Sequence, residues 1–404
     1  MSALTHADRT IPMFGLDDEL RELREEVRTF ATDTLRPRAA ELEWRSDPAE
    51  RVAWDLVEEA SRRGWRTYGL APEDGGAGGS ALALSVLVEE LSYGDMGFAV
   101  LIDQCLKAQR ILASVARGSA RRLFLDRFVG DPRCVLALCF TEPETASDYI
   151  IDGADYRFRT EAVRRADGCW VLNGYKRYIS NGADAGLYCV FACTDPSQPA
   201  ARGTSVFLVA KDDPGLEIVK VHEKMSQRGN NNAALRFTDL VLAPDRLLGE
   251  AHTGYAGSRE ILKESAITAG ATTLGTAQAA YDLALDHART RVQGGRPLIE
   301  HANIQCRFAE MYAELQAVRS LVWRAAWAVE NDPDYDIQMS SAAKVFAAET
   351  CMRVALEAAE MFGALAIMYT DSPVNKCVRD CMSFLHSDGA QDSHRIRIGR
   401  SLIR

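Results

Sequence analysis

Apolar positions in the first third of the chain recur every three or four residues, which is the spacing of one helix face. Leu16–Phe30 follows this pattern, and a second amphipathic segment runs from Trp54 to Arg63. Ser80 is placed as the N-cap of a further helix, because serine readily accepts a hydrogen bond from the first free backbone amides. Another helical stretch is expected from about Phe98 to Phe128. The first third is therefore predicted to be helical.

The middle third changes to short β-rich runs that are separated by Gly, Pro, Asn and Asp. Runs so closely spaced favour an antiparallel barrel or sandwich over a Rossmann unit. The glycine-rich segment 75–79 opens no βαβ unit, so we do not expect a phosphate-binding loop there. The predicted strands are Val135–Phe140, Arg157–Val163, Cys169–Leu172, Leu187–Ala192, Ser205–Ala210 and Ala234–Phe237.

Helical periodicity returns in the last third, where an apolar stripe runs from Ile304 to Val329, as in a helical bundle. Asn331–Asp336 interrupts it, and a second long helix is expected over Ser341–Met361. A last helix is expected from near Gly389 to the C-terminus.

This order predicts an α+β chain of three domains. They are an N-terminal α-helical domain (1–134), a central antiparallel β-barrel domain (135–250) and a C-terminal four-helix bundle (251–404).

Composition narrows the function classes. The net charge is −10, from 57 acids and 47 bases, which argues against a nucleic-acid partner because such a partner needs a basic surface. We see no signal peptide and no apolar stretch long enough to span a bilayer, so a soluble cytoplasmic protein is expected. The ten cysteines are scattered, and Cys377 and Cys381 have no Cys/His pair nearby. We expect reduced thiols and no metal.

Several segments, in order along almost the whole chain, resemble motifs of the acyl-CoA dehydrogenase family. Each motif alone is weak, and their order and spacing carry the resemblance. They are the strand and loop Leu138–Asp148, the segment Asn173–Gly182, the pair Lys224–Gly229 and Leu247–Glu250, the turn Arg291–Glu300, and Arg379–Asp380 placed eight residues before Asp388–Gly389.

The resemblance implies a flavin slot for FAD. Thr141 ends a strand at a turn and can hydrogen-bond the ring edge, while Tyr178 can cover a ring face. Arg291 resembles the arginine that grips the FAD diphosphate, in a neighbouring subunit, and a homotetramer is the family's assembly. By resemblance the isoalloxazine is lined by Leu138, Thr141, Tyr178, Ile179 and Ser180, and further FAD contacts are Gly363, Ala390 and Asp392.

Asp388 stands where the family carries its catalytic carboxylate, usually a glutamate. In the family such a base removes the α-proton of a thioester while a hydride passes to the flavin. Arg395 follows seven residues later and would share a helix face with Asp388 if the helix began at Gly389, so we expect it to favour the ionised carboxylate. The alternative is that Asp388 is only a helix N-cap.

The shorter aspartate reaches about 1 Å less far than glutamate, and a displacement of that size can slow a reaction about a hundredfold. Relatives with an aspartate base dehydrogenate cyclohexane-type carboxyl-CoA esters, so a cyclic or branched acyl group is expected. Asp103, in an otherwise apolar helix, is a second acid expected near the acyl group, and its alternative is a surface or capping residue. Ser147 and Ser265 are the other expected substrate contacts, and Ser265 stands where relatives often have an arginine.

Other functions stay open at this point. Nitroalkane oxidases share an Asp/Arg pair like Asp388 and Arg395 and a serine like Ser265, which gives a flavin oxidase as one alternative. Glu360–Ala366 departs from the family's Gln/Gly segment, which motivates a non-catalytic acyl-CoA- or FAD-binding relative. For a dehydrogenase, the thioester is carried by CoA or a carrier protein, and an electron-transfer flavoprotein is the expected acceptor.

Overall fold

The structure is a computed structural model that describes residues 16–151 and 155–403, without the side chains of 255–262. Residues 1–15, on which the expectation about a signal peptide depends, lie outside the described residues.

The N-terminal region is helical, as the periodicity predicts. Asp17 caps the first helix by accepting a hydrogen bond from the Leu20 amide, and Leu23 and Val27 turn inward. The stretch expected from Phe98 to Phe128 is divided near Gly118, which takes a φ of +55°. The helices are α1 (Asp18–Phe30), α2 (Arg36–Leu42), α3 (Trp54–Arg62), α4 (Ala81–Gly94), α5 (Met96–Val115) and α6 (Gly118–Phe124), with π-helical turns at Ala31–Leu35 and Leu125–Val129.

The central region is one mainly antiparallel sheet, in the order β6-β7-β3-β2-β4-β5-β8 with β1 pairing in parallel to β4. The expected barrel is wrong in one respect: within the described residues the sheet does not close, and β6 and β8 end the strand order. The strands are β1 (Leu136–Cys139), β2 (Glu161–Arg164), β3 (Trp170–Ile179), β4 (Leu187–Cys193), β5 (Thr204–Ala210), β6 (Leu216–Val221), β7 (Ala233–Leu242) and β8 (Leu247–Leu248), and a short helix, α7 (Ala200–Gly203), precedes β5.

The C-terminal region packs helices around a central one of 37 residues, α8, which contacts α4, α9, α10 and α11. Gly275 allows α4 to approach, because a Cβ there would lie 1.9 Å from the Glu89 carbonyl oxygen. The last helix begins two residues later than expected, at Gln391 rather than Gly389. The elements are α8 (Gly254–Thr290), a ribbon of β9 (Val292–Gln293) and β10 (Arg296–Pro297), α9 (Ala302–Asn331), α10 (Ile337–Glu360), α11 (Val374–Ser383) and α12 (Gln391–Leu402).

Helix α5 contacts all three regions, since it packs on α4, on strand β1 and on α8. It therefore carries its polar residues into the junction of the three regions. Among the described residues, none of the helices has both the length and the hydrophobicity that crossing a bilayer requires.

Candidate active site

Asp388 lies in the loop between α11 and α12, in the left-handed region with φ +51°, and Gly389 follows with φ +87°. The N-cap of α12 is Ala390, which makes no side-chain capping bond. The interpretation of Asp388 as a mere N-cap is therefore wrong. A left-handed non-glycine residue is held against its own preference, and such residues concentrate at functional sites.

Three neighbouring elements hold this loop. The Ala390 amide donates to Ser147 Oγ at 2.9 Å, and Lys344 Nζ donates to the Gly389 carbonyl at 2.6 Å. Burial lowers the pKa of His394 to about 4, so its imidazole is neutral. Because a carbonyl can only accept, His394 Nε2 carries the proton and donates to the Asp388 carbonyl at 2.9 Å. Ser147 thus contacts the loop backbone. Together these contacts fix the backbone from which the Asp388 side chain extends.

A buried lysine joins Asp388 to the second predicted acid. Lys107 Nζ lies 2.9 Å from Asp388 Oδ2 and 2.6 Å from Asp103 Oδ2. The Asp103 and Lys107 side chains are 1% and 5% exposed, whereas the Asp388 side chain is 23% exposed. Asp103 is therefore neither a surface nor a capping residue. Of the two carboxylates, Asp388 is the one that a substrate can reach.

The expected support of Asp388 by Arg395 is wrong. Arg395 is half exposed and forms ion pairs with Glu349 and Asp392. The prediction placed both residues on one helix face, but α12 begins only after Asp388. Asp392, expected at the cofactor, is 86% exposed and pairs with Arg395.

The residues expected at the flavin ring gather at the end of β3. Tyr178 has a φ of +59° and is 52% exposed, although it is a large aromatic side chain. Its carbonyl accepts a 2.9 Å hydrogen bond from Asn232 Nδ2, which also lies 3.4 Å from Ser180 Oγ. Thr141 lies beside this segment, because its carbonyl accepts from the Arg177 amide at 2.9 Å.

This arrangement fits a flat cofactor. The half-exposed ring of Tyr178 has half-buried hydroxyl-bearing residues beside it, Thr141 and Ser180. The ring of His222 lies 4.8 Å from that of Tyr178, and within the described part of the chain its buried Nε2 has no hydrogen-bond partner. Leu138 is half-buried on β1, opposite Cys189. Ile179 differs, since its side chain is buried in the core of the sheet.

A buried ion pair fixes the loop that carries Thr141. Lys176 Nζ and Glu142 Oε1 are 2.8 Å apart, and both side chains are fully buried. Glu142 also accepts hydrogen bonds from the amides of Arg159 and Thr160. Sequence reasoning missed this pair, as it missed Lys107 and Lys344. The signal for Lys107 was its position four residues after Asp103 on an apolar helix.

Arg291, expected at the FAD diphosphate, and Gly363, expected as a further FAD contact, lie at the far end of α8. His287, in the last turn of α8, stacks on Phe362 at 4.3 Å, which brings the Arg291 end beside Gly363. Ser265 lies in the first half of α8, where its carbonyl accepts a hydrogen bond from Thr268 Oγ1. Arg291 follows Thr268 by 23 residues of α8, or roughly 35 Å at the rise of an α-helix.

Comparison with known proteins covers nearly the whole chain. Family models match as acyl-CoA dehydrogenase N-terminal domain (residues 17–120), middle domain (137–240) and C-terminal domain (252–403). The chain is 31% identical to the cyclohex-1-ene-1-carbonyl-CoA dehydrogenase of Geobacter metallireducens, over 97% of this chain and 100% of the relative. It is 31% identical to the cyclohexane-1-carbonyl-CoA dehydrogenase of the same organism, over 97% and 99%.

A solved structure gives the same result for the fold. The butyryl-CoA dehydrogenase of Megasphaera elsdenii superposes with a TM-score of 0.88 at 27% identity, covering 96% of this chain and 99% of that one.

Proposed function

The chain belongs to the acyl-CoA dehydrogenase family, and on that premise we propose that it dehydrogenates a six-membered-ring carbonyl-CoA thioester with Asp388 as the base. It is an oxidoreductase with FAD as its cofactor. One observation carries the assignment of the base: Asp388 is the partly open carboxylate of a buried Asp–Lys–Asp cluster, on a loop held by three other elements.

In the proposed reaction the ring is saturated, and Asp388 accepts the proton from the ring carbon next to the thioester carbonyl. A general base must be ionised and must be placed before the reaction begins. The Asp388 carboxylate contacts an ammonium group, and its carbonyl is bound by His394. Bound FAD supplies the acceptor for the hydride that leaves the adjacent carbon. Tyr178, Thr141 and Ser180 would hold the ring, and Ser147 fixes the base loop.

Two points support a ring substrate. The two cyclic carbonyl-CoA dehydrogenases align with this chain over almost their entire length. The shorter base also requires the acidic carbon to lie closer to the loop than a glutamate would require.

The proposal is tested by anaerobic flavin bleaching of the purified holoenzyme with a panel of thioesters. We expect cyclohexane-1-carbonyl-CoA to bleach the flavin faster than butyryl-CoA or isobutyryl-CoA. Faster bleaching by butyryl-CoA would reject the ring substrate. An absence of bleaching by every thioester would reject the dehydrogenation assigned to this site.

We also propose that Arg291 and Gly363 serve the FAD of a neighbouring subunit in a homotetramer. Arg291 directly follows the end of α8, whereas Thr268, the residue of α8 that acts electrostatically on Asp103, lies near the middle of this helix. The two positions are roughly 35 Å apart along the helix, and this distance supports an Arg291 that serves a site other than the one beside its own Asp388. The exposed Arg291 guanidinium is suited to a diphosphate brought by another copy.

Subunit mixing tests this arrangement. We expect Arg291→Ala to bind FAD weakly and Asp388→Asn to bind FAD but turn over slowly. Unfolding and refolding the two variants together should restore activity. Some sites of the mixed tetramer then combine an intact Asp388 from one subunit with an intact Arg291 from its neighbour. Activity no greater than the sum of the separately refolded variants would show that each Arg291 serves its own subunit.

For the electrons, we propose an electron-transfer flavoprotein as acceptor, on the family resemblance. A cytoplasmic location is supported by the cysteines, since all ten are free thiols.

A further inference from the structure

We propose that Lys107 is a positioning residue that holds the Asp388 carboxylate ionised and aimed, and that Asp103 moderates it by sharing its ammonium group. This inference rests on the proposed function, because it explains how Asp388 can act as a base.

The contacts define the cluster. Lys107 Nζ is 2.9 Å from Asp388 Oδ2 and 2.6 Å from Asp103 Oδ2, so one ammonium bridges two carboxylates. Asp103 and Lys107 lie one turn apart on α5, whereas Asp388 comes from the loop before α12. The bridge therefore connects the N-terminal region to the catalytic loop. Holding the short carboxylate by a side chain on a rigid helix limits the positions that it can take.

The cluster is charged despite its burial. Burial opposes the charge on Lys107, but the attraction of Asp103 and Asp388 outweighs burial and raises the pKa of the ammonium above its usual value. Burial raises the pKa of Asp103, and Lys107 opposes that rise. With both acids ionised, the cluster carries one net negative charge. A proton taken from the substrate would neutralise that charge.

The other groups near Asp388 do not replace Lys107. Lys344 on α10 donates to the Gly389 carbonyl and to Gln391 Oε1, and burial lowers its pKa to about 8. His394 on α12 is neutral and binds the Asp388 carbonyl. Arg397 donates to the Ile150 carbonyl. On α8, the group facing Asp103 is the neutral Thr268 hydroxyl. Among the described residues, the ammonium of Lys107 is the cation in contact with the Asp388 carboxylate.

Sharing one ammonium group between two carboxylates reconciles two requirements of the base, which must be ionised and must also accept a proton readily. A base that is paired alone with a buried ammonium stays ionised but accepts a proton poorly, because protonation breaks the pair. Asp103 weakens the stabilisation of the ionised Asp388 by Lys107, because Asp103 competes for the same ammonium group. Its Oδ2 lies closer to Lys107 Nζ than Asp388 Oδ2 does. Lys107 thus keeps Asp388 ionised while Asp103 limits the loss of basicity.

The pH dependence of kcat/KM for flavin reduction tests the proposal, because its acid limb reports loss of the ionised base in free enzyme. Lys107→Met keeps the length of the side chain and removes the charge. We expect its acid limb to move to higher pH by roughly 1–3 units, the usual effect of a nearby opposite charge. Lys107→Arg keeps the charge and should leave the limb close to its wild-type position.

Asp103 provides the opposite shift. In Asp103→Asn, Lys107 pairs with Asp388 alone. The ionised Asp388 is then more strongly stabilised, so the acid limb should move to lower pH and the plateau rate should fall. In Lys107→Met/Asp103→Asn, one of the two repelling carboxylates is gone, so the limb should return toward the wild-type position. A merely structural lysine would change stability without moving the limb. An unmoved limb in Lys107→Met, or no return in the double variant, would overturn the proposal.

A second measurement separates this proposal from the assigned function. Thermal unfolding of the FAD-bound protein is compared for Lys107→Met, Asp388→Asn and their combination at pH 8. If the two residues interact, the combined shift in Tm is smaller than the sum of the single shifts. Coupling without flavin reduction by any thioester would reject the function and retain the contact. Additive shifts would reject the contact whatever the enzyme's activity.

Discussion

Replacing Asp388 by asparagine is expected to slow anaerobic flavin reduction by about 10²- to 10⁴-fold, the usual contribution of a positioned general base. Asparagine has nearly the same size but cannot accept the substrate proton. The backbone contacts of the loop do not use the side chain, so the fold and FAD content should be kept. Stopped-flow absorbance at the flavin band measures the rate.

Two further variants make this result specific. Asp18→Asn removes a carboxylate that is 93% exposed on α1, far along the chain from the catalytic loop, and should react like the wild type. Asp388→Glu keeps a carboxylate in a displaced position, so its rate should fall between the wild type and Asp388→Asn. If Asp388→Asn reduces flavin within a few-fold of the wild-type rate, another group is the base.

Replacing Gly389 by alanine is expected to lower both stability and activity. A Cβ at Gly389 would lie 1.8 Å from Ile150 Cδ1 and 2.8 Å from His394 Nε2, and its φ of +87° disfavours any side chain. We expect the free energy of unfolding to fall by about 2–4 kcal/mol, from the left-handed backbone and the overpacking together. The loop must shift to relieve the contact, and a shift near 1 Å can slow the reaction about a hundredfold. Denaturant unfolding and flavin reduction measure the two effects.

Gly399→Ala is the matched control, because it makes the same substitution within α12 where a Cβ would meet no atom within 4 Å. Alanine is favoured over glycine inside a helix by about 0.5–1 kcal/mol, so this variant should be at least as stable as the wild type and fully active. Equal stability of Gly389→Ala and Gly399→Ala would contradict the packing of the catalytic loop.

The fold could be predicted from the sequence where buried apolar positions recur regularly along a single helix or strand. The stripe that begins at Ile304 became α9, and β4 and β5 came from nearly continuous apolar runs. Strand β6 was missed because it lies at the edge of the sheet and carries exposed polar positions. Closure of the sheet was wrong because it depends on which strands pair across the domain, and local periodicity contains no information about that.

The site could be predicted only in part. Motif order led to Asp388, Thr141 and Tyr178 as the proposed site residues, but the cation was assigned to Arg395 from sequence proximity. That argument depended on a helix beginning at Gly389, and a shift of two residues in the start of α12 removed it. Lys107 is 281 positions away in the chain, and only tertiary packing of α5 brings it to the loop.

The most direct test of the account is the anaerobic reaction of the wild-type enzyme with cyclohexane-1-carbonyl-CoA carrying deuterium on the carbon next to the carbonyl. If Asp388 removes that proton, flavin reduction should be several-fold slower than with the unlabelled thioester, and Asp388→Asn should be slow with both. Equal wild-type rates for the two isotopologues at every pH, or no flavin reduction by either, would contradict it.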